Sequence, residues 1–272
     1  MITRIISAIV GLAVWVPLII FGGTWLQSGL AGIAVVGMWE FYRAFGDIGI
    51  KQFLGFALAV VYFAFISSGD RILGFLPLVF MVILPAVAYM AFVVMRRESY
   101  KPNSMFISLF GVFYIAATLS AIYLLREGQA LGMFHVWLVF ISAWGCDTGA
   151  YFVGRTMGRH KLAPVLSPKK TVEGSIGGTV VATALGGLYG FILYNLDLLS
   201  FGYILIFALV AFVCSIAGQI GDLTASAIKR SRGLEDYSNI MPGHGGILDR
   251  FDSIIFTAPL AFVILTLIER LL

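Results

Sequence analysis

Read from its first residue, the chain alternates long apolar runs with short polar breaks. The runs are about 20 residues long, enough for a helix to cross a hydrocarbon core of about 30 Å. They are continuous, without the period-two alternation of a membrane β-barrel strand. Gly and Pro punctuate them, as is common in membrane helices. About nine membrane segments are predicted, near 3–23, 26–45, 52–68, 72–95, 104–126, 130–154, 172–195, 200–225 and 252–271. The first, MITRIISAIVGLAVWVPLIIFGG, has one Arg before an apolar core, as a signal peptide does. It is long and lacks a small-x-small cleavage site, so it reads as the first membrane helix.

The expected fold class is therefore all-α, a polytopic integral membrane protein. It is a single membrane domain over 1–272, with N-terminal helices in 1–126 and the chemistry-bearing helices in 127–272. Composition agrees. Apolar types are 60% of the 272 residues and charged types 12%, against about 25% charged in a soluble domain. With nine spans, every Lys and Arg except Arg71, Arg126 and Arg270 falls on one side. The positive-inside rule makes that side, and the N-terminus, cytoplasmic. Cys146 and Cys214 lie in apolar runs without metal-ligand spacing and read as packing residues. The glycine pairs Gly145/Gly149, Gly174/Gly178 and Gly186/Gly190 suit close helix approach, and chance also produces such pairs in a chain with 31 Gly.

Charge is concentrated in two cytoplasmic loops, 155–171 and 226–251. Asp222 to Asp252 holds five of the chain's 14 carboxylates (Asp222, Glu235, Asp236, Asp249, Asp252) and the bases Lys229, Arg230, Arg232 and Arg250. Ionisable groups inside a membrane are costly and usually functional. Asp147 sits within the sixth run, where no basic residue shares the span. For Asp252, a helix-end charge near water is an equally good reading. Together the acids suggest a cation. Oxygen donors without His/Cys clusters suit Mg²⁺. Asp222, Ser226 and Lys229 stand at i, i+4 and i+7 on one helix face, and Asp249 and Asp252 are three apart.

The turn MPGHGG precedes the last run, and Pro242 is expected to end any helix from the loop. Gly243, Gly245 and Gly246 allow backbone N–H groups to converge on an anion near a helix start. His244 in this turn is a candidate for substrate contact; the plainer alternative is a hydrogen bond within the turn. Lys169 and Lys170 form a basic pair at the mouth of the seventh span, suited to phosphate. Arg155, Arg159 and Lys161, like Arg96, Arg97 and Lys101, are explained by topology alone. There is no P-loop and no Ser/His/Asp or Cys/His set. A reaction whose substrates supply the nucleophile fits better.

Ser226-x-Ile228-Lys229-Arg230, Asp236, and Pro242-x-His244-Gly245-Gly246-Ile247-x-Asp249-Arg250-Phe251-Asp252 together resemble the signature of the phosphatidate cytidylyltransferases, the CDP-diacylglycerol synthases. Asp147-Thr148-Gly149-Ala150-Tyr151 and Ser167-Pro168-Lys169-Lys170-Thr171-x-Glu173-Gly174 also look like that family, so the resemblance runs from about 140 to 255. The family usually has Lys where Glu235 stands, and Leu, Ile or Phe where Met241 stands. The resemblance implies transfer of the cytidylyl group of CTP to phosphatidate, with Mg²⁺ and a second cation. It implies a homodimer in the inner (plasma) membrane, with the site facing the cytoplasm, contact with membrane lipid and no nucleic-acid partner. Asp222 and Asp249 are then the expected metal ligands, with Asp147 nearby or on the second cation. Lys169, Lys170, Lys229, Arg230 and His244 are expected on phosphates, with Ser226, Gly245 and Gly246 lining the substrate site. Arg250 and Asp252 would orient them. The competing readings are a CTP-dependent lipid kinase and a cation-coupled transporter.

Overall fold

The structure is a computed structural model that describes residues 2–46, 50–66, 87 and 102–271. It is helical apart from one hairpin. The order is α1 (Ile2–Phe21), α2 (Gly23–Ala44), α3 (Ile50–Ile66), α4 (Pro102–Gly111), a π-helical segment (Val112–Ala117), α5 (Thr118–Glu127), α6 (Gly132–Met157), β1 (Lys161–Ala163), β2 (Ser167–Thr171), α7 (Val172–Asn195), α8 (Gly202–Ser231) and α9 (Leu248–Leu271). The expected span 72–95, and the basic group Arg96, Arg97 and Lys101, lie outside the described residues except for residue 87. Among the described residues, five helices are long and apolar enough to cross a membrane: Phe106–Glu127, Gly132–Met157, Val172–Asn195, Gly202–Ser231 and Leu248–Leu271. Large apolar side chains such as Ile176, Val180, Phe191, Leu205 and Leu267 stand exposed on them, as a lipid-facing surface requires.

The charged loops are shorter than hydropathy predicts. α8 continues six residues past the expected end at 225, to Ser231, carrying Asp222, Ser226 and Lys229 within the helix. It ends at Arg232 and Gly233, whose φ of 68° is the left-handed stop. Pro242 therefore ends no helix. α9 already begins at Leu248. Lys169 and Lys170 lie at the mouth of α7, as expected, but on the strand β2. β1 and β2 pair antiparallel, Lys161 opposite Thr171 and Ala163 opposite Ser167. Thr171 then caps α7, its Oγ1 accepting from Gly174 N–H at 3.1 Å.

The chain divides into two compact units, Met1–Leu124 with Asp236–Arg250, and Leu125–Glu235 with Phe251–Leu272. In the first, α2 packs on α3, α4 and the π-helical segment. Phe41, Tyr42 and Ile115 are fully buried there, and the Tyr42 hydroxyl donates to Ser108 C=O at 2.8 Å. The second is built on α6, α7 and α8. Close approach there depends on missing side chains. A Cβ at Gly178 would stand 2.5 Å from the Cys146 carbonyl oxygen, and one at Gly186 would stand 2.7 Å from that of Phe207. Backbone on the facing helix cannot yield as a side-chain tip can. Cys146 and Cys214 are buried, as their apolar settings led one to expect.

Gly178→Ala should lower the thermal stability of the protein in detergent by about 1–3 kcal/mol, the usual cost of overpacking. Gly32→Ala, where nothing lies within 4 Å of the added carbon, should leave the melting temperature within a degree or so of the original.

Candidate active site

In the second unit, α6, β2 and α8 bring together residues far apart in sequence. Asp147, Tyr151, Arg155, Lys169, Lys170 and Asp222 line a cavity of about 460 Å³, well within the size of ligand pockets. Lys170 Nζ forms an ion pair with Asp222 Oδ2. Asp222 and Ser226 do share a helix face. The Ser226 hydroxyl donates to Asp222 Oδ1 at 3.4 Å, a long bond. On the cavity wall itself, Gln219 is fixed on both sides. Its Nε2 donates to Thr179 Oγ1 at 2.9 Å, and its Oε1 accepts from the Ser175 hydroxyl.

Asp252 is 8% exposed. Its carboxylate experiences the charges of Asp222 and Asp147 and, in the opposite sense, that of Lys229. Its Oδ1 accepts from Ser253 N–H at 2.7 Å. A Cβ on Gly221 would stand 2.6 Å from the Asp252 carbonyl, which is what lets α8 and α9 meet at this level. Lys229 is itself only 8% exposed, an unusual setting for an ammonium group unless charge surrounds it. Arg230 turns elsewhere. It is exposed, and its Nη1 donates to Leu234 C=O at 2.8 Å, closing the end of α8.

The donors that could hold a metal are carboxylate oxygens. Among the described residues, no three His, Cys, Asp or Glu side chains form a group able to hold an ion by themselves. Mg²⁺ rarely needs such a group. One or two carboxylates with substrate phosphates and waters are its usual shell. Asp147 and Asp222, acidic and on the wall of one cavity, fit an ion of that kind.

The first unit holds the other half of the motif. Asp249, 5% exposed, accepts through Oδ2 from Tyr237 N–H and Gly246 N–H, both at 2.9 Å. Gly243 and Gly245 have φ of 79° and 81°, so the turn does need glycine. The turn's amides, however, converge on the chain's own carboxylates. Gly246 N–H serves Asp249. Ile247 N–H (2.9 Å) and Leu248 N–H (2.7 Å) donate to Glu40 of α2. Met241 N–H donates to Gly245 C=O at 2.9 Å, closing the turn. His244 Nδ1 lies 2.8 Å from Ser7 Oγ of α1, and that hydroxyl donates to Pro242 C=O at 3.1 Å. The Ser7 oxygen then accepts from Nδ1–H, leaving Nε2 as the ring's acceptor. Arg250 is exposed.

Glu40 and Ser7 are not found from the charged loops. Glu40 was nonetheless visible to a rule applied elsewhere in the chain: it is an ionisable residue inside an apolar run. Nothing in the sequence marks Ser7. On the hairpin side, Glu173 plays a part that its motif position alone did not show. It accepts from Arg159 N–H at 3.0 Å, and its Oε1 lies 2.6 Å from His160 Nδ1, drawing the start of the hairpin onto the first turn of α7.

Asp249→Ala should strand two backbone donors and lower stability by about 1–3 kcal/mol. Asp249→Asn keeps a carbonyl oxygen for them, so its melting temperature should fall distinctly less when both variants are unfolded in the same detergent.

Residues 2–268 match the cytidylyltransferase family. The chain is 32% identical over 265 residues to a Staphylococcus haemolyticus protein named phosphatidate cytidylyltransferase, covering 96% of this chain and 98% of that protein. A Staphylococcus aureus protein of the same name is 32% identical over 271 residues, with the same coverage of 96% and 98%. One from Bacillus subtilis is 40% identical over 159 residues, covering 55% of this chain and 57% of the relative. Similarity of that extent, along nearly the whole length, places this chain in the cytidylyltransferase family.

Proposed function

We propose that the protein transfers the cytidylyl group of CTP to phosphatidate, giving CDP-diacylglycerol and pyrophosphate. The observation that carries this is the cavity in which Lys169 and Lys170 stand beside the carboxylates Asp147 and Asp222. Such a wall suits a polyphosphate arriving with a cation. The family relationship supplies the nucleotide and the lipid.

The lipid phosphate is an anionic nucleophile and needs little help from a base. One of its oxygens forms a bond to the α-phosphorus of CTP, and the bond from that phosphorus to the β-phosphate oxygen breaks. Its electron pair leaves with pyrophosphate. Lys169 and Lys170 offset phosphate charge as point cations. Lys229, from its buried position on α8, balances the acids around Asp252. Ser226 holds Asp222 in orientation. A Mg²⁺ held by Asp147 and Asp222 would supply further charge neutralisation at phosphate oxygens. The same role for Asp249, and a second cation, rest on the motif. So does substrate contact by His244, whose ring is oriented by Ser7. We place the site at the cytoplasmic face of the inner membrane, in a chain with about nine spans and a cytoplasmic N-terminus; the asymmetry of Lys and Arg supports that orientation. A homodimer is the family expectation.

Purified protein incubated with CTP, phosphatidate and Mg²⁺ should form CDP-diacylglycerol and pyrophosphate in equal amounts. Release of CDP with a phosphorylated lipid would instead establish a kinase. Chelation of the metal should stop turnover, and added Mg²⁺ should restore it. Lys170→Ala should lower kcat/KM for CTP by roughly 10²–10³-fold, the usual loss on removing one electrostatic contact to a reacting group. Because it also removes the ion-pair partner of Asp222, kcat/KM is compared per folded molecule, with the melting temperature measured alongside.

A further inference from the structure

We propose that Glu40, in the N-terminal half of the chain, is a positioning residue for the loop that presents Asp249. The role rests on the functional reading above, since it assumes that Asp249 takes part in that reaction.

Glu40 is 0% exposed. Among the described residues no Lys, Arg or His forms an ion pair with it. Its charge is met by hydrogen-bond donors of the loop. Oε1 accepts from the Ser238 hydroxyl at 2.5 Å and from Ile247 N–H at 2.9 Å, and Oε2 accepts from Leu248 N–H at 2.7 Å. Ile247 and Leu248 stand at the start of α9, where N–H groups lack intrahelical partners and the dipole favours an anion. A side chain from α2 thus does what an N-cap residue would ordinarily do from within the same segment.

Two carboxylates act on the loop in parallel. Asp249 joins Tyr237 to Gly246. Glu40 joins Ser238 to Ile247 and Leu248. Each ties the start of the loop to its end, one residue apart along both. Without Glu40, Asp249 would be the carboxylate left among the described residues to clamp the loop, while also serving as the metal ligand of the functional reading. Gly246 fits the same arrangement. A Cβ there would lie 2.6 Å from Glu40 Oε1, so the missing side chain leaves room for the carboxylate.

The test is a double-mutant cycle on purified protein, with Glu40→Gln as a conservative companion. Glu40→Gln retains one carbonyl oxygen but turns an NH₂ toward backbone donors. It should lower kcat on the order of 10²-fold, as misplacement of a reacting group by about 1 Å does. KM for CTP should stay within about threefold, and hydrogen exchange at the 246–248 amides should accelerate. Gly246→Ala should lose kcat to a similar degree in the wild-type background. In the Glu40→Ala background it should cost less than about twofold, because the carboxylate it meets is gone. Full additivity of the two substitutions would overturn the proposal. So would a Glu40→Gln variant with unchanged kcat per folded molecule and only a lower melting temperature, since that is a purely structural role. The exchange measurement needs no substrate. If the wild-type protein itself failed to transfer cytidylyl groups, the functional reading would fall. Slow exchange at 246–248 that is lost in Glu40→Gln would still show whether Glu40 holds the loop.

Discussion

A carboxylate buried in an apolar helical protein has to meet donors, and the donors at hand are the unpaired N–H groups of loops and helix starts. Much of this structure follows from that constraint. Asp249, which is buried, and Glu173, which is only partly so, are each the second residue of a helix, α9 and α7. Each reaches back to amides of the loop before it. Glu40 reaches the start of α9 from another helix altogether. The result is that both charged loops, long on paper, are fastened at their helical ends. The glycine-rich turn, which resembles an anion nest in sequence, is a nest in structure too. The anions in it belong to the protein.

The apolar runs were legible because continuous hydropathy over a membrane's thickness has few alternative meanings. Val172–Asn195 falls where the sequence puts it. The end of α8 and the start of α9 were less legible, since the apolar pattern puts them near 225 and 252 whereas helical hydrogen bonding runs on to Ser231 and resumes at Leu248. The hairpin was missed for a related reason. Lys161–Ala163 and Ser167–Thr171 are too short, and too lacking in apolar alternation, to carry a strand signal. The i, i+4, i+7 face of α8 could be read directly, because one helix fixes it, although of its three residues Asp222 lines the cavity. The ion pair from Lys170 to Asp222 spans 52 residues, and Glu40 to Leu248 spans 208. Tertiary packing sets such distances, and one sequence records only their ends.

The wall of the cavity carries both signs of charge, Arg155, Lys169 and Lys170 with Asp147 and Asp222. Asp222 has the Lys170 ammonium on one oxygen and the Ser226 hydroxyl on the other. Asp252 has Lys229 among its neighbours. The proposed reaction brings a polyphosphate and a cation together, and a wall of one sign would repel one of the two. Alternating the two signs on adjacent elements avoids an uncompensated charge at a lipid boundary.

The division of the chain into units has a consequence for how this enzyme could be inherited or rebuilt. Residues 236–250 lie between segments of the second unit yet belong to the first, and their anchors are Ser7 and Glu40. The signature-bearing half is therefore not a transplantable cassette. A chimera joining residues 127–272 to foreign N-terminal helices would carry every recognisable motif. It would still lack the hydroxyl and the acid that keep one of those motifs in shape. The first helices are tied at two points to a loop more than 200 residues downstream, so a change at either point is also a change in that loop.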